Sequence, residues 1–217
     1  MKSYHFFQKF MSNFCVIKVS KFNLEYCHFV YAPSEDTYLL LSVLPNCKVE
    51  TALDIGTGTG IIALHLSSIA KQVIAVDINP FAIFCARKNV RRNGLTNRII
   101  VFYSDLFSNI PANLRFDIIT FNMPYLNTYS KDQHIVTWDY LASWSIYEPS
   151  DILSQCLKYA KDYMKPSASI YFIVSSLFNF KKVLNAYSHI YSFKIIKKID
   201  FFYERIFAIR GVLHDAE

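Results

Sequence analysis

Thr51-Ala52-Leu53-Asp54-Ile55-Gly56-Thr57-Gly58-Thr59-Gly60 is the stretch on which the fold turns: a β-prone run that ends in three of the chain's five glycines. A chain so sparing of glycine places it where a side chain would block a ligand or where the backbone needs positive φ. Ile61-Ile62-Ala63-Leu64-His65-Leu66 then reads as the opening of a helix. The glycines therefore belong to a strand-to-helix turn, the place where doubly wound sheets bind nucleotide-like ligands. The next β-prone run, Val73-Ile74-Ala75-Val76, leads into Asp77, where a carboxylate can accept both hydroxyls of a ribose.

The glycine spacing narrows the ligand. A dinucleotide fingerprint is G-x-G-x-x-G, but here Ile61 holds the place of the last glycine and Gly60 comes one residue early. With Asp54 ahead of it, G-x-G-x-G suits a smaller nucleoside-type cofactor without a pyrophosphate, and S-adenosylmethionine fits that description. A turn whose glycines serve only tight strand–helix packing is the alternative.

From about residue 48 onward, short β-branched runs alternate with helical patterns, as in βαβ units around a largely parallel sheet. Strands are predicted at 51–55, 72–77, 98–103, 116–121, 168–175, 191–197 and 205–210, and helices at 34–45, 59–70, 80–93, 150–165 and 178–188. Asn93-Gly94 supplies a left-handed helix end, and Lys165-Pro166 is expected to stop the fourth helix. The last two strands lack room for a crossover helix, so they should form a hairpin that puts one antiparallel strand in the sheet. The expected fold is thus α/β, a doubly wound seven-stranded sheet of Rossmann-like type. Ahead of it, residues 14–19 and 22–26 suggest a β-hairpin, giving a short extension over 1–30 and one domain over 31–217.

At 217 residues, 53% of them apolar, the chain is long enough for one well-buried domain and too apolar for disorder. No uninterrupted apolar run approaches the ~18 residues of a membrane span, and the N-terminus lacks a signal-peptide pattern. A cytoplasmic location with no membrane association is expected. Five scattered cysteines without a Cys-x-x-Cys pair predict reduced, mostly buried thiols and no metal site. The net charge of +6 rests on small clusters such as Lys88, Arg91 and Arg92, which favour a solvated helix face over a nucleic-acid stripe.

Asn122-Met123-Pro124-Tyr125 follows the strand at 116–121. The carboxyl ends of strands in such a sheet face the ligand crevice, so this tetrapeptide should open toward whatever the glycine turn holds. Asn122 carries both a carbonyl acceptor and an amide donor, Pro124 keeps Met123 extended, and Tyr125 offers a flat face. A planar NH₂ group fits such a grip. Its nitrogen is a poor nucleophile, and two acceptors, Asn122 Oδ1 and the Met123 carbonyl, can aim it at an electrophile by proximity and orientation. A polar turn that caps local backbone is the bland alternative.

These motifs together resemble the HemK-type protein-glutamine N5-methyltransferases, within the class I S-adenosylmethionine-dependent methyltransferases. The resemblance runs from Tyr31-Ala32-Pro33-Ser34-Glu35-Asp36-Thr37 through the glycine turn, Asp77-Ile78-Asn79-Pro80 and Ser104-Asp105-Leu106-Phe107 to the tetrapeptide. It implies that Asp54, Gly56 and Gly58 approach the methionine part of the cofactor, that Thr37 bonds its carboxylate, and that Asp77 holds the ribose. Ile78 would pack on the adenine, Asp105 and Leu106 would meet its edge, and Asn122, Met123 and Tyr125 would hold the target amide. The short N-terminal segment is similar to the archaeal and eukaryotic branch. That branch implies a class I release factor as substrate, methylated at its Gly-Gly-Gln glutamine, and a small zinc-ribbon activator at the sheet edge.

Two departures bear on the substrate side. Met123 stands where the family writes proline, and Trp144-Ser145 leads into Ile146-Tyr147-Glu148-Pro149 rather than a Gly-Gly-x-x-Gly loop. The alternatives are an RNA or DNA amino-methyltransferase, since adenine N6 and guanine N2 are also delocalised amines, and a non-catalytic scaffold of the same fold. A dehydrogenase is disfavoured by Ile61.

Overall fold

The computed structural model describes residues 16–19, 21–127, 144–145 and 148–214. In chain order the elements are β1 (Val16–Val19), β2 (Phe22–Glu25), α1 (Glu35–Val43), β3 (Val49–Ile55), α2 (Ile61–Leu66), β4 (Ala70–Asp77), α3 (Pro80–Arg92), β5 (Ile99–Tyr103) and β6 (Phe116–Phe121). There follow β7 (Leu126–Asn127), β8 (Trp144–Ser145), α4 (Pro149–Ala160), β9 (Met164–Ser175), α5 (Phe180–Ala186), β10 (Tyr191–Asp200) and β11 (Arg205–Leu213).

Seven strands form one sheet in the order β10-β11-β9-β6-β3-β4-β5. Only β11 opposes the others: it pairs antiparallel with both β10 and β9, while β9, β6, β3, β4 and β5 run parallel. Side chains alternate between the faces, as a strand's period of two requires. Ala52, Ile118 and Ile173 enter one core, packed with α1, α2 and α3, while Leu53, Ile119 and Phe172 enter the other, packed with α4 and α5. The chain moves from β3 outward to β4 and β5, then returns to place β6 on β3's other side. That reversal opens a crevice beyond the paired ends Ile55 and Phe121.

All seven predicted strands and five helices are present, several with shifted ends. The helix expected over 59–70 is only Ile61–Leu66, because the backbone is needed early for β4: Val49 N–H bonds the Ile69 carbonyl at 2.9 Å and Val49 pairs with Ala70. The helix expected over 150–165 ends at Ala160, and a 3₁₀ turn covers Lys161–Tyr163. Pro166 does not stop it but sits inside β9, where the register with β6 shifts and Ser167 takes φ 58°. A bulge tolerates a residue with no N–H.

β1 and β2 form the expected hairpin, and β2 lies along α3. Asn89, fully buried, accepts from Glu25 N–H at 2.8 Å and donates to the carbonyls of Glu25 and Thr59, both at 2.9 Å. The buried Glu25 carboxylate is bonded by Lys88 and Arg92. Burial alone would raise its pKa, but the two cations outweigh that and hold it below the ordinary value. Lys88 and Arg92 are thus partners of an internal carboxylate rather than a merely solvated face.

The expectation of reduced thiols throughout is overturned for two of the five cysteines. Cys27, just past β2, and Cys85 of α3 form a disulfide with Cα atoms 5.8 Å apart. Their 58-residue separation gave no sequence signal; packing of β2 on α3 brings them together. Cys47 and Cys156 are free, exposed and buried respectively, and burial pushes the Cys156 thiol up. Cys15, the start of the predicted strand at 14–19 and most of the segment between the tetrapeptide and α4 lie outside the described residues. No helix among the described residues is long and apolar enough to cross a membrane.

Candidate active site

The glycine turn is the floor of the crevice. Gly56 and Gly58 take φ +67° and +54°, values that a side chain resists, and both line a cavity of about 560 Å³. Gly60, at φ +85°, answers a packing need as well: a Cβ there would lie 3.2 Å from Cα and Cβ of Ala86 on α3. Beneath the turn, Asp54 is fully buried, accepting from the hydroxyls of Thr57 at 2.7 Å and Thr120 at 2.8 Å. Burial pushes its carboxyl up to about 7 against the pull of those two hydroxyls. Asp54 does not line the cavity; it holds the turn from below.

Asp77 ends β4 on the adjacent wall. Its Oδ2 accepts from Gly58 N–H at 2.9 Å and its Oδ1 from Asn79 N–H at 2.8 Å, so one carboxylate fixes both the glycine turn and the start of α3. Each oxygen keeps lone-pair capacity for a further donor. Burial raises its pKa, while these backbone bonds favour the ionised form. Ile78 lines the cavity and is 50% exposed, an apolar face beside the carboxylate. Across from it, Asp105 and Leu106 also line the cavity; Leu106 has φ +46° and its carbonyl is held by Ser104 Oγ at 2.9 Å.

The third wall joins α1 to the tetrapeptide. Asn122 Nδ2 donates to Thr37 Oγ1 at 3.3 Å, and Thr37 Oγ1 also accepts from Ser34 N–H at 3.4 Å. Thr37 therefore supports the helix start and faces the cavity as well. Asn122 Oδ1 is buried and has no hydrogen-bond partner among the described residues. A buried acceptor left without a donor is costly, on the order of 1–3 kcal/mol, and marks a place for a ligand's N–H. The Met123 side chain packs into the core with Phe121 and Leu153, so its thioether does not narrow the cavity. Pro124 lines the cavity; Tyr125 lies beside it, its hydroxyl 3.4 Å from Asp36 Oδ2.

Asp36 is the residue that sequence reasoning passed over. Its Oδ2 also accepts from the Tyr31 hydroxyl at 3.3 Å, and its Oδ1 accepts from Thr37 N–H at 2.6 Å. Burial, and then the Asp36 charge, push the Tyr31 hydroxyl up to about 12 and raise that of Tyr125 further, so both remain protonated donors. Asn79 was also missed: its Oδ1 caps α3 through Phe81 N–H at 2.9 Å, and its Nδ2 donates to the Phe29 carbonyl at 2.7 Å, closing the cavity's rim. Ile152 and Gln155, one helical turn apart on α4, complete the wall. Capping chemistry hinted at Asn79, but the α4 pair carried no local signal.

A nucleoside-type methyl donor fits these residues. The turn offers two side-chain-free positions, Asp77 two oriented oxygens beside the apolar Ile78, and Asn122 an unanswered acceptor on the opposite wall.

Comparison with known proteins agrees. Residues 33–143 match the model of the methyltransferase small domain. A Methanocaldococcus jannaschii protein, provisionally named a protein N5-glutamine methyltransferase, is 34% identical over 171 residues, 78% of this chain and 84% of its own length. The release factor glutamine methyltransferase of Shewanella oneidensis is 33% identical over 153 residues, 64% of this chain but only 50% of that enzyme. In fold, the chain is similar to the E. cuniculi structure of an Mtq2–Trm112 complex responsible for methylation of the termination factor eRF1. That match has TM-score 0.60 and 22% identity, and it covers 85% of this chain and 99% of the other. The chain belongs to the methyltransferase small domain family, within the doubly wound, S-adenosylmethionine-dependent methyltransferases of class I.

Proposed function

We propose that this chain methylates the side-chain amide nitrogen of a glutamine in a class I release factor, the glutamine of its Gly-Gly-Gln motif. The observation that carries this is the buried Oδ1 of Asn122, without a partner among the described residues, at the edge of the cofactor-sized cavity. A primary amide has two N–H groups: Asn122 Oδ1 accepts one and the Met123 carbonyl the other. Pro124 holds the turn and Tyr125 offers its ring to the flat amide, with its hydroxyl moored on Asp36. The names of the M. jannaschii and S. oneidensis relatives support the choice of glutamine.

S-adenosylmethionine, when bound, supplies an electrophilic methyl group. Gly56 and Gly58 leave room for its amino-acid part above the turn that Asp54 steadies. Thr37 meets its carboxylate, Asp77 takes the ribose hydroxyls, Ile78 covers one face of the base, and Asp105 with Leu106 meets the base's edge. The protein's contribution to transfer is position and exclusion of water, and the Tyr31 and Tyr125 hydroxyls, held protonated, do not act as bases in it.

The catalytic unit is assigned to residues 31–217, with 1–30 as a short extension of which β2 lies along α3. A small zinc-ribbon activator joining a sheet edge belongs to the same reading; β5 and β10 are the outer strands. The structural neighbour's complex with Trm112 supports such a partner. The direct test is incubation with labelled S-adenosylmethionine and purified release factor or total RNA, with and without the activator. Label at a glutamine in the protein fraction is the expected result. Label in RNA would put the nucleic-acid alternative ahead.

A further inference from the structure

We propose that Glu204 is an acceptor-binding residue: its carboxylate takes a main-chain N–H of the polypeptide that carries the target side chain, and Phe202 with Tyr203 packs on that chain. This inference rests on the protein-acceptor function proposed above and gives it a second point of contact.

Three observations meet at the turn between β10 and β11. Glu204 Oε1 is buried and has no hydrogen-bond partner among the described residues, a condition shared there only with Asn122 Oδ1 and Ser68 Oγ. Its neighbour Arg205 does not answer it, because that guanidinium is bonded to Asp200 across the hairpin. The turn itself is fixed: Phe201 N–H donates to the Glu204 carbonyl at 2.7 Å, and Ser176 N–H to the Arg205 carbonyl at 2.8 Å. A carboxylate with one oxygen left unpaired on a fixed turn keeps acceptor capacity for a donor from another chain.

The turn stands at the reacting end of the sheet. Arg205 pairs with Asp200 at the hairpin's close, and Ile206 pairs with Ser175, the last residue of β9; β9 in turn lies beside β6, which ends at Asn122's door. Glu204 is close enough to Tyr125 for its charge to help keep that hydroxyl protonated. Phe202 and Tyr203 project beside it at 90% and 87% exposure, their rings edge to face with centroids 4.6 Å apart. Two aromatic rings this exposed on an ordered turn offer much contact area at little entropic cost, as recognition surfaces do.

Charge selects the occupant. A polypeptide brings main-chain N–H donors within a residue or two of any target side chain. A nucleic acid brings phosphates, which a carboxylate on this turn repels. The acceptor is therefore held at two points, its side-chain amide at Asn122 and its backbone at Glu204.

The test uses the full chain, with its activator if activity requires one, and a Gly-Gly-Gln peptide from a release factor. Glu204→Ala should raise KM for the peptide about 10- to 100-fold, the effect of losing one hydrogen bond to a charged group, and should change kcat less. Affinity for S-adenosylmethionine should stay within about twofold. Glu204→Gln, which keeps an acceptor oxygen, should recover most of the loss. Phe202→Ala with Tyr203→Ala, at exposed positions that the fold does not need, should raise the same KM. Unchanged peptide KM in both the Glu204→Ala and the aromatic variants overturns the inference alone, as does a Glu204→Ala loss shared equally by cofactor affinity. A wild-type protein that methylates RNA and no peptide overturns the inference and the proposed function together.

Discussion

Asn122 and Thr37, 85 residues apart in sequence, meet through a 3.3 Å hydrogen bond from Nδ2 to Oγ1. The Thr37 hydroxyl gives its own proton to Asp36 Oδ1 at 3.2 Å, so Oγ1 can only accept; the bond therefore fixes which way the carboxamide points and leaves Oδ1, buried and without a partner among the described residues, as an aimed acceptor. An amide free to flip would present donor and acceptor alike; this one does not.

Asn122→Ala removes that acceptor while the proposed cofactor contacts at Asp77, Ile78 and Asp105 stay in place. Methyl transfer should fall at least about 10²-fold, the scale seen when one oriented polar group is lost from an active site. Titration calorimetry should find the affinity for S-adenosylmethionine nearly unchanged. A matched loss of both would place Asn122 in cofactor binding alone.

Asp77→Ala should weaken cofactor binding most among single substitutions, by about 10- to 100-fold. It removes the proposed ribose acceptors and also leaves the Gly58 and Asn79 N–H groups without theirs. The same carboxyl predicts a pH effect. Burial raises its pKa above the ordinary 3.8, and the ionised form is the one that accepts hydroxyls, so cofactor affinity should decline as pH falls, beginning above the usual carboxylate range. A pH series of dissociation constants for the wild type and Asp77→Asn checks this; the variant should be flatter.

Asp54 has a stability signature of opposite sense from a typical ion-paired carboxylate. Its folded pKa is raised from 3.8 to about 7, so the native state binds the proton more tightly than the unfolded chain. Its stabilising contribution is complete below about pH 4 and is lost as pH rises toward 7. Asp54→Asn cannot ionise and still offers one acceptor between Thr57 and Thr120. The difference in Tm between Asp54→Asn and the wild type should therefore move in the variant's favour from pH 4 to pH 7. A constant difference across that range would refute the assignment.

Reduction of Cys27–Cys85 should lower stability by about 2–4 kcal/mol, the range for bridges closing loops of tens of residues. Thermal melts with and without reductant, and of Cys27→Ser with Cys85→Ser, measure it. The double variant should be insensitive to reductant.

Much of this architecture was legible in the chain. Val73-Ile74-Ala75-Val76 before Asp77 is a buried-strand pattern, and Gly56, Gly58 and Asn122 lie at strand ends where the topology makes a crevice. The unread parts have partners that no spacing rule links. Glu25 meets Lys88 and Arg92 only because β2 lies along α3, and Cys27 meets Cys85 for the same reason. Pro166 misled for a different cause: proline is punctuation for a helix, but the helix had already ended and a bulge received it. Glu204 belongs to an antiparallel hairpin whose existence was expected, yet the nearness of its tip to Tyr125 depends on the strand order β6-β9-β11.

The single oxygen Asp36 Oδ2 serves two tyrosines, Tyr31 at 3.3 Å and Tyr125 at 3.4 Å, each long for a hydroxyl bond and each drawing on the same lone pairs. The two sides of the pocket are consequently not interchangeable modules. Anyone grafting residues 122–125 onto another scaffold to retarget it would have to transplant residues 31–37 too, because without that shared mooring the tyrosine ring has no reason to stand where a flat substrate could lean on it.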